Sequence, residues 1–309
     1  MSGAVSIFGI PVAKVTESEA VEWIVSRAKG VGPGEQKGRA SARPNSSDAD
    51  EQSRSDADEQ KLVPPATTSQ TSQTSQTSQT SQTSQTSQTS QTSQTAFIAT
   101  LNVDFVSNAV SGWPFGGNDE LWGYLKNAEL VTADGMPIVA LSRILGNPLP
   151  ERVTGADMVP MICRRFAEEG LSVYILGQTG GMRSENLGGV KIAGIDESFV
   201  KLDEDQPEII ERINAAKPDL LFVALGNPKQ ELWMGRNAAK LHIPAMIGVG
   251  GTFNFIAGRV KRAPRWMQKC GLEWIYRILQ EPGRLWKRYA YGLVKFSWLS
   301  IRAVLGGYR

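Results

Sequence analysis

"KPDLLFVALGNPKQELWM", residues 217–234, joins an apolar run to a short polar turn and then to a mixed apolar and polar stretch. The run Leu220–Leu225 is rich enough in large side chains to predict a strand buried on both faces. A helix is predicted next, because Asn227 suits its cap, Pro228 its first position, and Gln230 can reach back to the cap backbone. The same turn has a second interpretation as a ligand loop, since α/β sheets bind ligands where strands end.

Short apolar runs and amphipathic stretches alternate along most of the chain, which is typical of α/β proteins. Strands are predicted at 97–101, 130–132, 173–176, 191–193, 220–224 and 245–249. Helices are predicted at 17–28, 119–127, 136–145, 157–169, 206–216, 229–240 and 272–302, the last with a break around Pro282 and Gly283. The expected fold class is therefore α/β, a Rossmann-like and mostly parallel sheet with flanking helices, followed by a basic amphipathic C-terminal helical appendage.

Residues 30–95 interrupt this pattern with almost no large apolar side chains. They contain two copies of SDADEQ, at 47–52 and 55–60, and nine consecutive Thr-Ser-Gln triplets from 68 to 94. Such a segment cannot bury enough surface to offset the entropy of ordering its backbone, so we predict that it is disordered. The predicted domains are an α/β core of 1–29 with 96–258, the low-complexity insertion 30–95, and a C-terminal appendage 259–309.

The scarcity of histidine and cysteine limits the chemistry of this chain. His242 is the only histidine, and Cys163 and Cys270 lie far apart without metal-type spacing. Ser-His-Asp, Cys-His and multi-histidine metal chemistry are therefore excluded, and a general base is expected to be a carboxylate. No disulfide framework and no signal peptide are predicted, which indicates a cytoplasmic protein. Two Asp-x-Asp pairs in the insertion are interpreted as linker acids, since a flexible segment does not hold a metal: Asp48 with Asp50, and Asp56 with Asp58.

The net charge of +2 is unevenly distributed, because residues 259–309 hold 12 Lys and Arg against Glu273 and Glu281. This basic segment indicates an anionic partner, and nucleic acid is not predicted because no recognised module accompanies the charge. A basic stripe is expected opposite an apolar one, which suits a helix lying on a membrane surface, although an ordinary packed helix remains an alternative. The basic positions are Arg284, Arg288, Lys295 and Arg302, and the apolar ones are Leu285, Tyr289, Leu293 and Phe296.

Several turns after predicted strands carry polar side chains that suit either a ligand or a helix cap. Asp134, in "LVTADGMPIV", is either an N-cap or a positioned base, and Thr100 and Asn102 either orient a sugar hydroxyl or satisfy a turn. Asp157 is interpreted as a helix cap, while Arg152 can pair with a carboxylate or a phosphate. The stretch "IGVGGTFNF" does not complete a Gly-x-Gly-x-x-Gly fingerprint, which disfavours a dinucleotide site.

Six stretches of the chain resemble, in order, the bacterial WecG/TagA/CpsF glycosyltransferases, glycosyltransferase family 26. They are "TLNVDFV", "TADGMPIV", "RVTGADMV", "KPDLLFVALGNPKQELW", "GVGGTFNFIAGRVKRAPRWM" and "GLEWIYRILQEPGRLWKRY". The resemblance implies an inverting, metal-independent enzyme without a cofactor, which moves a sugar of N-acetylmannosamine, mannosaminuronic acid or glucose type. It implies a UDP-sugar donor and a polyprenyl-diphosphate-linked acceptor in cell-surface or exopolysaccharide synthesis. It also implies peripheral attachment to the inner face of the plasma membrane.

The resemblance also assigns roles to residues of this sequence. It identifies Asp134 as the base that deprotonates the acceptor hydroxyl. It places four residues around the donor and acceptor sugars, namely Thr100, Asn102, Arg152 and Gln230. It assigns three arginines of the appendage to stabilising the UDP diphosphate as it leaves, namely Arg277, Arg284 and Arg288.

Three features depart from the family pattern. The connection 178–189 is too short for the usual crossover helix, Asn254 replaces a common aspartate, and residues 30–95 interrupt the N-terminal unit. They leave open a second hypothesis, a catalytically degraded relative that only binds nucleotide-sugar or membrane. A nicotinamide-dependent sugar-modifying enzyme is a third, disfavoured by the missing glycine fingerprint. The donor sugar, the acceptor saccharide and homo-oligomerisation are not decided by the sequence.

Overall fold

Six parallel strands form the central sheet, in the order β4-β3-β8-β7-β5-β6, and a separate antiparallel hairpin pairs β1 with β2. This computed structural model describes residues 3–30 and 94–306, all within one compact unit. The strands are β1 Ala4–Ile7, β2 Ile10–Ala13, β3 Ala96–Leu101, β4 Leu130–Ala133, β5 Ser172–Gly177, β6 Lys191–Asp196, β7 Leu220–Ala224 and β8 Ala245–Gly248. The helices are α1 Glu17–Ala28, α2 Val103–Ala109, α3 Asp119–Lys126, α4 Met136–Ile144, α5 Gly155–Glu168, α6 Pro207–Ala216, α7 Lys229–Asn237, α8 Thr252–Ile256, α9 Arg265–Lys269, α10 Glu273–Gln280 and α11 Pro282–Val304.

Helices cover both faces of the sheet, which explains the continuous apolar runs in its strands. Along β3, Phe97, Ala99 and Leu101 pack into one apolar cluster, which also contains buried residues of α2, α3, α7 and α11. The alternate residue Ile98 packs into a second cluster with residues of α1 and α5. Because successive side chains of a strand point to opposite faces, each central strand contributes to two cores.

The predicted α/β class is confirmed, and so are all six predicted strands of the sheet. The predicted helices are also present, with ends that differ by a few residues and with α10 and α11 separated near Pro282. The hairpin β1–β2 and the helices α2, α8 and α9 were not predicted. These elements have four to seven residues, too few to show a clear hydrophobic period.

The connection between β5 and β6 contains a single 3-10 turn, Ser184–Leu187, in place of an α-helix. The side chains of Met182, Leu187 and Val190 are nevertheless buried in the second apolar cluster. The prediction of a shortened crossover is therefore confirmed, and the short segment still covers its part of the sheet.

The two ends of the predicted insertion meet at the surface of the core. The Arg27 side chain donates a hydrogen bond to the carbonyl oxygen of Gln94 at 2.7 Å, and buried Thr95 bonds the carbonyl oxygen of Leu241 at 2.8 Å. The disorder predicted for 30–95 lies, apart from these ends, outside the described residues, as do both Asp-x-Asp pairs. Ends this close allow a long insertion at a small cost in loop-closure entropy.

The predicted basic stripe of the C-terminal helix is wrong at Lys295, which is fully buried. Its ammonium group donates to the carbonyl oxygens of Ser107, at 2.6 Å, and of Gly116, and burial lowers the pKa of Lys295. On the predicted apolar side, Phe296 is buried but Leu293 is 48% exposed. The reason is tertiary, because α11 packs against α2 and a loop whose backbone carbonyls need donors.

Much of the exposed apolar surface of the described chain lies on α11 and just beyond its end. No helix in residues 3–30 and 94–306 is long and apolar enough to cross a membrane. The exposed apolar side chains of this segment are Trp286, Tyr291, Leu293, Val294, Trp298, Ile301, Val304 and Leu305.

Candidate active site

The carboxyl ends of the six parallel strands open into one cleft of about 680 Å³. Five inter-strand spacings of about 4.8 Å make this edge of the sheet roughly 24 Å long. Residues that follow every strand line the cleft: Asn102 after β3, Asp134 after β4, Gln178 after β5, Glu197 after β6, Gly226 after β7 and Gly250 after β8.

The structure brings together nearly all the site residues that the sequence predicted. Seven of the eight line the cleft, namely Thr100, Asn102, Asp134, Arg152, Gln230, Arg277 and Arg288. The eighth, Arg284, lies in α11, and its side chain is outside the part that the structure describes.

Asp134 is held at the end of β4 and does not cap the helix that follows it. The cap of α4 is Gly135, which has no side-chain partner. The Asp134 N–H donates to the carbonyl oxygen of Leu101 at 2.8 Å, and its carboxylate accepts the N–H of Gly155 at the start of α5. The structure therefore excludes the cap interpretation of Asp134, and its role as a base stays a prediction.

Burial raises the pKa of the half-buried Asp134 carboxyl to about 7. Nearby charges act in both directions, since the Arg152 guanidinium lowers this pKa while the carboxylates of Glu273 and Asp157 raise it. A carboxyl group with a pKa near neutrality can accept a proton in one step and lose it in the next.

Two arginines and two carboxylates form an ion-pair network beside Asp134. Arg262 binds Asp157 through two hydrogen bonds of 2.5 and 2.7 Å, and its Nε lies 3.5 Å from Glu273. Arg152 binds Glu273 at 3.0 Å and lies 3.7 Å from Asp157. Because Glu273 begins α10, this network ties the C-terminal helices to the core.

The prediction that Asp157 caps a helix is wrong. Thr154 is the N-cap of α5, and its hydroxyl oxygen accepts the N–H of Asp157 at 3.1 Å. A hydroxyl satisfies this cap, which leaves the Asp157 carboxylate for Arg262. Of the two partners considered for Arg152, a carboxylate or a phosphate, the structure shows carboxylates.

Asn102 satisfies the turn after β3, which is one of the two roles considered for it, and it also lines the cleft. Its side-chain oxygen caps α2 by accepting the N–H groups of Asp104 and Phe105, at 3.0 and 3.2 Å. The Asp104 carboxylate in turn binds Arg288 of α11 at 2.7 Å. The arginine predicted to contact the leaving group is therefore oriented by the turn that follows β3.

The capping box predicted for Asn227 and Gln230 is wrong. Helix α7 begins at Lys229, its cap position is Pro228, and no side chain bonds the cap backbone. The amides of Asn227 and Gln230 instead donate to the buried carboxylate of Glu231, at 2.9 and 2.5 Å. A fully buried carboxylate needs donors more than a partly exposed helix end does, which explains the change.

Aromatic rings and cations line the rest of the cleft. The guanidinium carbon of Arg277 lies 5.4 Å from the ring centre of Phe255, and the Lys229 ammonium lies 4.5 Å from that of Phe199. Among the described residues no carboxylate forms an ion pair with Arg277. This cation is therefore available to an anionic ligand.

The role of Glu273 and Arg262 in the site was not predicted. A sequence signal for Glu273 existed, since it is one of only two acidic residues in the strongly basic stretch 259–309. Glu231 carried no such signal, because its full burial is a result of tertiary packing. In residues 3–30 and 94–306, no three His, Cys, Asp or Glu side chains are arranged to hold a metal ion.

Comparison with known proteins identifies the family of this chain. Residues 70–309 match the glycosyl transferase WecG/TagA/CpsF family. The chain is 31% identical over 200 residues to the N-acetylglucosaminyldiphosphoundecaprenol N-acetyl-beta-D-mannosaminyltransferase of Bacillus spizizenii. That alignment covers 62% of this chain and 74% of the relative. The cleft at the strand ends, with its carboxylate and arginines, is thus the candidate active site of a glycosyltransferase, and the chain belongs to the WecG/TagA/CpsF family.

Proposed function

We propose that this protein transfers an N-acetylmannosamine-type sugar from a UDP-sugar to a polyprenyl-diphosphate-linked saccharide, with inversion and without a metal. The observation that carries the proposal is the Asp134 carboxyl, with a pKa near 7, in a cleft that also holds Arg277 without a carboxylate partner in the described chain. The name of the Bacillus relative supports the sugar and the acceptor, because that protein transfers N-acetyl-β-D-mannosaminyl to N-acetylglucosaminyldiphosphoundecaprenol.

In the proposed reaction the ionised Asp134 takes the proton of the acceptor hydroxyl as its oxygen attacks the anomeric carbon. A new carbon–oxygen bond forms while the bond from that carbon to the UDP diphosphate breaks, and its electron pair leaves with the diphosphate. Attack from the side opposite the leaving group inverts the configuration. Arg277 and Arg288 would stabilise the charge that develops on the diphosphate.

The C-terminal helices give this proposal a second part. Residues 259–309 would form the appendage that closes the cleft, since α10 and α11 contribute Trp274, Arg277, Arg288 and Tyr289 to its lining. The exposed apolar side chains of α11 would hold the protein on the inner membrane face, near a lipid-linked acceptor.

A panel of UDP-sugars, assayed with a synthetic prenyl-diphosphate-linked N-acetylglucosamine, tests the proposed reaction. We expect UDP release and a β-linked disaccharide from UDP-N-acetylmannosamine, with no loss of rate in a chelator. Nucleotide-sugar binding without transfer from any donor would instead support the degraded relative. A rate that requires a divalent ion would contradict the metal-independent mechanism.

The membrane contact predicts that acidic substitutions on α11 release the protein from lipid. In the variant Leu293→Asp, Val294→Asp, Ile301→Asp, each new charge replaces a side chain that is 48 to 60% exposed. We expect vesicle binding to fall about tenfold or more, because each charge opposes insertion into the interface. Co-sedimentation with vesicles containing anionic lipid measures this.

Ile144→Asp is the matched control, since Ile144 is 66% exposed on α4, outside the C-terminal helices. Equal binding by the triple variant and the wild type would refute the contact. Substitutions are preferable to deletion of α11, which would remove the buried residues Leu285, Phe296 and Leu299 from the core.

A further inference from the structure

Gln230 lies in the cleft wall, but its amide is used inside the protein. The residue is 2% exposed. Its Oε1 accepts the N–H groups of Gly226, at 3.2 Å, and of Gly250, at 2.9 Å. These glycines lie in the turns after β7 and β8. Two backbone donors require the oxygen of the amide to face them, so the orientation of the Gln230 amide is determined.

The remaining end of the amide meets Glu231. Gln230 Nε2 donates to Glu231 Oε1 at 2.5 Å, and Asn227 Nδ2 donates to Glu231 Oε2 at 2.9 Å. Asn227 Oδ1 accepts the amide of Asn108, in α2, at 2.6 Å. Glu231 has no exposed surface, so both oxygens of a buried carboxylate depend on these two side chains. One polar chain thus links α2 to the turns after β7 and β8.

Gly248 gives an independent indication that the side chains of Gln230 and Glu231 are held in fixed positions. A β-carbon at this position would lie 2.6 Å from Gln230 Nε2 and 2.9 Å from Glu231 Oε1. Its φ is not in the left-handed region. Glycine is therefore required here for space, because the amide and the carboxylate pack directly against the end of β8.

We propose that Gln230 acts in the reaction as a positioning residue, with Glu231 as its partner, by holding together the two glycine turns that line the cleft. The resemblance places Gln230 around the sugars, whereas here its oxygen is occupied by Gly226 and Gly250 and its nitrogen faces Glu231. Both turns line the cleft, so a shift of either one moves the donor relative to Asp134. This inference rests on the proposed sugar transfer.

Exchanging residues 230 and 231 distinguishes a positioning role of Gln230 from direct contact of its amide with the sugar. In Gln230→Glu, two carboxyl groups face each other, and they cannot both ionise without strong repulsion. In Gln230→Glu with Glu231→Gln, the new carboxylate accepts from both glycine N–H groups and from the new amide. The oxygen of that amide accepts from Asn227. The exchange restores every donor and acceptor pair while removing the amide nitrogen of residue 230.

The experiment compares the wild type with Gln230→Glu, Glu231→Gln and the exchanged double variant at pH 8, measuring Tm, UDP affinity and kcat/KM. We expect Gln230→Glu to lower Tm and to reduce kcat/KM on the order of 10²-fold, since small misplacements in a site have effects of that size. The double variant should recover Tm and most of kcat/KM. Glu231→Gln alone should lose less than Gln230→Glu, because Asn227 and Asn108 can reverse their amides.

Recovery of Tm without recovery of kcat/KM would overturn the proposal, since it would show that the Gln230 nitrogen contacts the sugar. Recovery of neither would also overturn it, by showing that the two residues do not form a complementary pair. Gly248→Ala should reproduce the losses of Gln230→Glu, while Gly123→Ala, in open space on α3, should not. If the wild type transfers no sugar, the proposed function fails. Tm and UDP affinity of the same four proteins then still show whether residues 230 and 231 form a complementary pair.

Discussion

Asp134→Asn is expected to lose activity by about 10²–10⁴-fold, the usual contribution of a general base. The amide matches the carboxylate in shape and can still accept the N–H of Gly155, but it cannot take the proton of the acceptor hydroxyl. UDP binding should persist, because the proposed diphosphate contacts come from the C-terminal helices. Single-turnover transfer and UDP titration on the same preparation measure both effects.

The pH dependence of the wild type should identify the same group. The base acts in its ionised form, and burial raises the pKa of Asp134 to about 7. The value of kcat/KM should therefore rise with pH up to and through about 7 and then level off. Asp203→Asn, on an exposed loop, is a matched control that should leave the profile unchanged. Wild-type-like turnover by Asp134→Asn would remove Asp134 as the base.

Arg152→Met and Glu273→Gln are expected to move this pH profile in opposite directions. The Arg152 guanidinium lowers the pKa of Asp134, so its loss should move the midpoint of the rise in kcat/KM above pH 7. The Glu273 carboxylate raises that pKa, so its neutralisation should move the same midpoint below pH 7. We expect Arg152→Met also to reduce kcat near pH 7 by about 10²-fold, because Asp134 loses the cation that favours its ionised form, and one adjacent arginine shifts a carboxyl pKa by about 1–3 units.

Measurement of kcat/KM between pH 5 and 9 for both variants tests the prediction. The matched controls are Arg165→Met and Glu22→Gln, which break an ion pair of 3.0 Å outside the cleft and should shift nothing. Shifts of the same sign in Arg152→Met and Glu273→Gln would show that the two charges do not act on one titrating group. Circular dichroism of each variant separates a pKa effect from loss of folding.

The site was largely predictable because its residues follow strands that the sequence shows clearly. Thr100, Asn102 and Asp134 each come at or just after the end of a buried apolar run, and the carboxyl ends of parallel strands meet at one edge of the sheet. The resemblance then identified the arginines of the C-terminal helices. Their proposed contacts with substrate remain predictions, while their presence at the cleft is a structural finding for Arg277 and Arg288.

Two of the errors share one physical cause, which is burial by elements distant in the chain. The sequence predicts Lys295 on the basic stripe of an amphipathic helix, yet its ammonium group binds the carbonyl oxygens of Ser107, in α2, and of Gly116, in the loop after α2. Asn227 and Gln230 were read as a local cap, but the burial of Glu231 redirects both amides. Local spacing gives no information about such partners, which stand 119 residues apart in the case of Asn108 and Asn227.

Sequence alone was enough to predict the α/β class, the six strands of the sheet, most of the helices and the edge at which a ligand would bind. These features are predictable because apolar periodicity and turn residues depend on neighbours in the chain. Tertiary packing sets which polar groups are buried together: Asp134 with the Arg152–Glu273 network, and Gln230 with Glu231 and the glycine turns. Desolvation sets the pKa and the hydrogen bonds of those groups, and desolvation depends on how remote elements pack.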